Sequence, residues 1–93
     1  MGIEYKLRFR FPDAQSVGDS LRRLPMAYEV AQANIDFEFR SPENLSSMPD
    51  ASAHVEEDGL YFCDYGGMGR QFLGVIVARL VDRFGSVTVA ELE

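Results

Sequence analysis

Two groups of residues in this 93-residue chain have types and spacings suited to chemistry. The first is His54 with Cys63, the sole histidine and the sole cysteine. A cysteine becomes a nucleophile when a neighbouring imidazole draws off its proton, usually with a third group orienting the imidazole. Between them lies Asp58-Gly59, a dipeptide suited to a two-residue hairpin turn. That turn pairs Glu57 with Leu60, Val55 with Phe62 and His54 with Cys63. Glu56, Tyr61 and Tyr65 then share the face of His54, and Glu56 is the carboxylate placed to orient the ring, because Asp64 points the other way. An open sheet face offers no wall against water, and one His with one Cys falls short of a metal's three or four ligands. The expectation is a surface histidine and a half-buried cysteine, with no catalytic, cofactor or metal site. The pair remains the one enzymatic candidate.

The second group is "GGMGR", residues 66 to 70, placed before a helical pattern. Backbone N–H groups of a glycine loop and a helix N-terminus can converge on a phosphate, usually helped by a lysine and a hydroxyl. Neither helper follows here, and the spacing of Gly66, Gly67 and Gly69 is not that of a dinucleotide fingerprint. The expectation is a sharp strand-to-helix reversal, where glycine supplies unusual backbone angles. The same region fails as an RNA-binding strand. Gly59, Phe62 and Tyr65 fit the RNA-recognition signature, but Asp58, Leu60 and Tyr61 stand at its basic, first stacking and small positions.

Charge supports that exclusion. The chain carries 15 acidic and 9 basic residues, a net charge of −6, and Lys6 is its only lysine. Nucleic-acid affinity rests on neutralising phosphates with Lys and Arg, so no nucleic-acid partner is expected. No apolar run approaches the ~20 residues of a membrane span. A lone cysteine and no recognisable signal peptide fit a cytoplasmic protein.

The elements that would position these residues follow from hydrophobic period. "IEYKLRFRF", residues 3 to 11, alternates strictly, with Ile3, Tyr5, Leu7, Phe9 and Phe11 on one side and Glu4, Lys6, Arg8 and Arg10 on the other. Pro12 ends that strand and Asp13 caps a helix whose apolar positions are Val17, Leu21 and Leu24. Residues 26–32 fit helical turn, loop or strand. Alternation returns over 33–40, with Ile35, Phe37 and Phe39 inward. "SPENLSSMPD", residues 41 to 50, reads as an exposed loop. After the hairpin and the glycines, Leu73, Ile76, Val77, Leu80, Val81 and Phe84 form the stripe of a helix stopped by Gly85. "VTV", residues 87 to 89, can close the sheet, although "TVAE" also has the spacing of a helix cap.

One α+β domain over residues 1–93 accounts for this order: a two-layer sandwich, a mainly antiparallel sheet with two helices on one face. The economical topology is ferredoxin-like, with room for an extra hairpin strand. Its open face would display charged side chains with Tyr61 and Tyr65, the composition of a protein-contact patch. The expected function is a small acidic, non-enzymatic binding protein, of the inhibitor or immunity type, masking a basic protein partner. Its contact residues would be Tyr61, Tyr65, Glu56, Glu57, Asp58, Arg8 and Arg10. The alternative is a homodimer, two sheets face to face, holding a small ligand at the interface.

Overall fold

In the computed structural model, residues 2–24, 27–29 and 35–92 are described, residues 27–29 by their backbone alone. Eight elements follow one another: β1 (Ile3–Arg8), α1 (Ala14–Arg22), β2 (Ala27–Glu29), β3 (Asp36–Phe39), β4 (Ala51–Glu56), β5 (Gly59–Asp64), α2 (Gly69–Phe84) and β6 (Thr88–Leu92). The strands form one sheet in the order β2-β3-β4-β5-β1-β6, and every pairing is antiparallel. This is an α+β domain, with one strand more than the hydrophobic pattern indicates. The extra strand, β2, lies in the segment left open in the sequence; the rest of 26–32, and residues 33 and 34, lie outside the described residues. Among the described residues no helix is long and apolar enough to cross a membrane.

Both helices pack on the sheet face that the alternation marks as inward. Leu7, Phe37, Phe39, Val55, Leu60 and Phe62 from the strands meet Val17 and Leu21 from α1 and Phe72, Ile76 and Leu80 from α2 in one buried cluster. Phe39 contributes twice, with its ring 5.9 Å from that of Phe72 and 6.4 Å from that of Phe62. Each such side chain, fully removed from water, stabilises the fold by roughly 1.5–3 kcal/mol.

Local signals end the helices where expected. Asp13 accepts from the N–H of Ser16 at 2.8 Å, satisfying one of the orphan donors of the first turn of α1. Gly85 adopts φ +94° and donates its N–H to Val81 at 2.9 Å, closing α2. Residues 88–92 are a strand and not a capped helical turn, because β1 offers them a free edge.

Two expectations are corrected. β1 ends at Arg8, so Arg10 is not on the sheet; Phe9 and Phe11 leave it and stack on each other at 5.1 Å. The hairpin turn is Glu57-Asp58, one residue earlier than the Asp58-Gly59 turn, which sets His54 opposite Tyr61 and Ser52 opposite Cys63. The reason lies in β1. Gly59 pairs with Arg8, and a Cβ there would overlap the Leu7 carbonyl oxygen. The glycine serves a close strand approach, not the turn.

Candidate functional site

The sheet face away from the helices carries Glu4, Lys6 and Arg8 from β1, Asp36 and Glu38 from β3, Ser52, His54 and Glu56 from β4, and Tyr61 and Cys63 from β5. Six strands spaced about 4.8 Å apart make this face roughly 24 Å wide. Its cross-strand neighbours are hydrogen-bonded in pairs. The Tyr61 hydroxyl donates to Glu4 at 2.6 Å, and this bond, with burial and the nearby Cys63, pushes the Tyr61 phenol well above its ordinary value. The Ser52 and Tyr65 hydroxyls lie 3.1 Å apart. His54 Nδ1 bonds the Asp36 carboxylate.

His54 and Cys63 are therefore not brought together. Cys63 is buried, 5 % exposed, and a Cβ on Gly2 would overlap its sulfur. Nor is Glu56 the carboxylate beside the imidazole; Asp36 takes that position, and both side chains of the pair stay about two-fifths exposed. Asp36 was legible as an outward residue of β3, but its place beside His54 depends on which strand lies next to β4. The shallow groove around them, about 370 Å³, is lined by Asp36, Ser52, His54, Tyr61 and Tyr65 among others. An imidazole held by a carboxylate can accept and donate protons; the residue opposite it is Tyr61, not Cys63. Among the described residues no group of three or more His, Cys, Asp or Glu is placed to hold a metal ion.

The acidic tip is more occupied than its sequence suggests. Lys6 is 7 % exposed and bonds Glu56 as well as Asp58, the latter at 2.6 Å. Burial pulls the Lys6 ammonium down, but the bonds from Asp58 and Glu56 outweigh it and the ammonium titrates above its usual value. Arg8 reaches Asp58 at 3.3 Å. Arg10 stands apart, beside a separate cleft with Phe9, Asp58 and Phe84. Of the expected contact residues, the fold groups Tyr61, Tyr65, Arg8, Glu56 and Asp58 around one face, sets Glu57 in the turn beside a cleft with Pro12 and Ala14, and leaves Arg10 at the rim.

The glycine reversal holds its own anions. Gly66 N–H donates to Asp64 at 2.8 Å and Met68 N–H donates to Asp50 at 3.0 Å. Two side-chain carboxylates thus take N–H groups that a phosphate would need. A Cβ at Gly69 would collide with Asp64 and with the Asp50 carbonyl, so a close approach requires glycine there. This loop is a strand-to-helix reversal stapled by aspartates.

Sequence reasoning passed over the loop at 41–50, where composition alone signals only exposure. Asn44 is its hub. Its Nδ2 donates to the Met48 carbonyl at 3.0 Å and to Asp50, and its Oδ1 accepts from Ser46 N–H at 3.0 Å. Arg40 clamps the carbonyls of Ser46 and Ser47 at 2.7 and 2.9 Å. The "NLS" segment, an Asn two residues before Ser, was the available signal, since Asn side chains bond backbone two residues on. A cleft of about 590 Å³ lies between this loop and the glycine reversal, with Met48, Tyr65 and Met68 on its walls. Compared with protein families, with curated proteins and with solved structures, the chain shows no match that would assign it to a family.

Proposed function

We propose that this chain is a non-enzymatic binding domain whose open sheet face contacts a basic protein. One observation carries the reading. Among the described residues, that face gathers Glu4, Asp36, Glu38 and Glu56, with Asp58 at its edge, against Lys6 and Arg8, around Tyr61 and Tyr65. Tyrosine contributes apolar area with a polar end, and a surplus of one sign speeds encounter with the opposite sign. A face of roughly 24 Å by 20 Å is comparable to most of one side of a standard interface, which buries about 800 Å² per partner. Masking a basic toxin or nuclease domain, as an inhibitor does, is the function this surface fits.

The fold belongs to the same proposal. Read in the order β6-β1-β5-β4 with α1 and α2 as crossovers, four strands describe a ferredoxin-like core, and β3 with β2 extends one edge. The homodimer with two open faces together is weaker on charge, because each copy would set its acidic surplus against the other's.

The test is affinity capture from the native host's lysate at low and moderate salt. A basic protein recovered in stoichiometric amount, weakened by salt and lost with Tyr61→Ala or Tyr65→Ala, is the expected result. Recovery of the chain alone, with a concentration-independent dimer mass in solution, overturns the reading in favour of self-association.

A further inference from the structure

β6 is an outer strand of the sheet, and among the described residues no strand pairs with its far side. An edge strand presents a row of unpaired N–H and C=O groups, which proteins guard with lysine, proline or a bulge. β6 has none of these. It pairs with β1 residue for residue, from Arg8 with Thr88 to Glu4 with Leu92.

The side chains along this edge are largely apolar. Val89 lies opposite Leu7 and so on the helix side of the sheet, yet it is 43 % exposed, because α2 packs chiefly on β5 and stops short of β6. Ile3, at the end of β1 on that side, and Leu92, on the open side, are 41 and 39 % exposed. Phe72 turns from α2 toward β3, with its ring 5.9 Å from that of Phe39. Val81, nine residues on, lies half a turn round the helix from Phe72 and faces the β6 side, 46 % exposed. Leu73 and Val77 continue its row at four-residue spacing, partly buried against the core. Apolar residues scattered singly need no partner; a row of them beside an unpaired strand edge does.

Charge and symmetry select the occupant. β6 carries a single charge, Glu91, and α2 carries Arg70, Arg79 and Arg83 against Asp82, so this side lacks the acidic surplus of the open face. Two chains of net charge −6 can meet here where their open faces would repel. Antiparallel pairing about a two-fold axis is self-complementary. With the axis at Val89, that residue meets its own copy, Thr88 meets Ala90 and Val87 meets Glu91, so no like charges stand opposite. Both helix layers then lie on one side of the joined sheet. The 16-residue α2 is about 24 Å long and the two layers together about 20 Å deep. A side of that size approaches the ~600 Å² per partner of the smaller stable interfaces.

We propose that the occupant of this edge is a second copy of the chain, its β6 paired antiparallel with the first, so that two six-stranded sheets become one. The inference goes beyond the open-face reading and does not rest on it. The dimer leaves both open faces uncovered, side by side, and so presents two sites for a basic partner.

Sedimentation equilibrium of the full chain across a concentration series, with Val89→Lys, Val89→Glu, Val81→Lys and Tyr61→Ala beside it, is the test. The wild type is expected at the mass of two chains. Val89→Lys should raise the dissociation constant at least ~100-fold, because two valines leave the interface and two lysines stand opposite each other. Val81→Lys should weaken the dimer at least ~10-fold by charging the apolar row. Mixing Val89→Lys with Val89→Glu should restore a dimer with one chain of each. Circular dichroism confirms the fold of every variant. A wild type that stays at one-chain mass throughout overturns the inference and leaves the open-face reading standing. A dimer unmoved by Val89→Lys and Val81→Lys but lost with Tyr61→Ala overturns both, since the open faces would then be together. A lysine–glutamate mixture that stays at one-chain mass, or assembly beyond two chains, overturns the two-fold pairing about Val89.

Discussion

Asp50 accepts a hydrogen bond from the backbone N–H of Met68 at 3.0 Å, so the residue that ends the 41–50 loop also stands at the head of α2. Burial raises the Asp50 carboxyl, but bonds from Asn44, Met68 and Ser41 outweigh it and hold the carboxyl below its ordinary value. A carboxyl lowered on folding stabilises the fold fully above the unfolded pKa of about 3.9. That contribution is lost as pH falls through the lower folded value. Asp50→Asn should therefore flatten the acid limb of a urea-midpoint profile between about pH 5 and 2. Asp50→Ala should cost ~2–3 kcal/mol at neutral pH by leaving Asn44 and Met68 donors unpaired. An acid limb unchanged in Asp50→Asn would show that the carboxylate does not staple the loop.

Glycine positions separate by what surrounds them. Gly59→Ala should be destabilising by 2 kcal/mol or more, on the order of severe core overpacking, since its Cβ meets the Leu7 carbonyl and β1 cannot retreat. Gly74, in the middle of α2, has nothing near its would-be Cβ. Gly74→Ala should stabilise by about 0.5–1 kcal/mol through helix propensity alone. Chemical denaturation of the two variants in parallel reads both, and equal effects would contradict the strand register.

Tyr61 donates to Glu4, and its phenol is held above its ordinary value. A tyrosine raised on folding contributes stability that is complete below its unfolded pKa of about 10 and is lost as pH rises above it. Absorbance titration should show a phenol that ionises above the ordinary tyrosine range, and Tyr61→Phe should remove that signal. The same substitution should make stability less sensitive to alkali. A titration curve unchanged by Tyr61→Phe above the ordinary tyrosine range would dissolve the Glu4–Tyr61 pair.

Cys63 is buried and lies opposite Ser52 and Glu4, not His54. Labelling by a thiol reagent in native buffer should be slow and should accelerate with mild denaturant, following local opening. Rapid labelling at neutral pH would point to an activated thiol and revive the enzymatic candidate.

Much of this was legible in one dimension. The period-two run and the helical stripe name most of their buried sides, Tyr5, Leu7, Ile76 and Leu80 among them, because alternation and 3.6-residue spacing are local consequences of backbone geometry; Ile3 and Val81, at the margins, stay exposed, and Phe72, outside the stripe, is buried. The caps at Asp13 and Gly85 were legible for the same reason. The open face and its tyrosines followed from that assignment, since a face with no helix over it must hold the polar set. Asp58-Gly59 misled because local turn preference competes with a demand the local sequence does not express. Gly59 is needed where β1 passes close, and the turn moved back by one residue to Glu57-Asp58.

Partnership across the sheet was decided by the tertiary structure alone. His54 meets Asp36, Lys6 sinks between Glu56 and Asp58, and Asp50 reaches Met68 because strands distant in sequence become neighbours at about 4.8 Å. The sequence by itself determined most of the inward set and the caps at Asp13 and Gly85. Which outward residues touch, and that Asn44 and Asp50 brace the 41–50 loop against β3 and α2, depend on contacts that exist only once the chain has closed on itself.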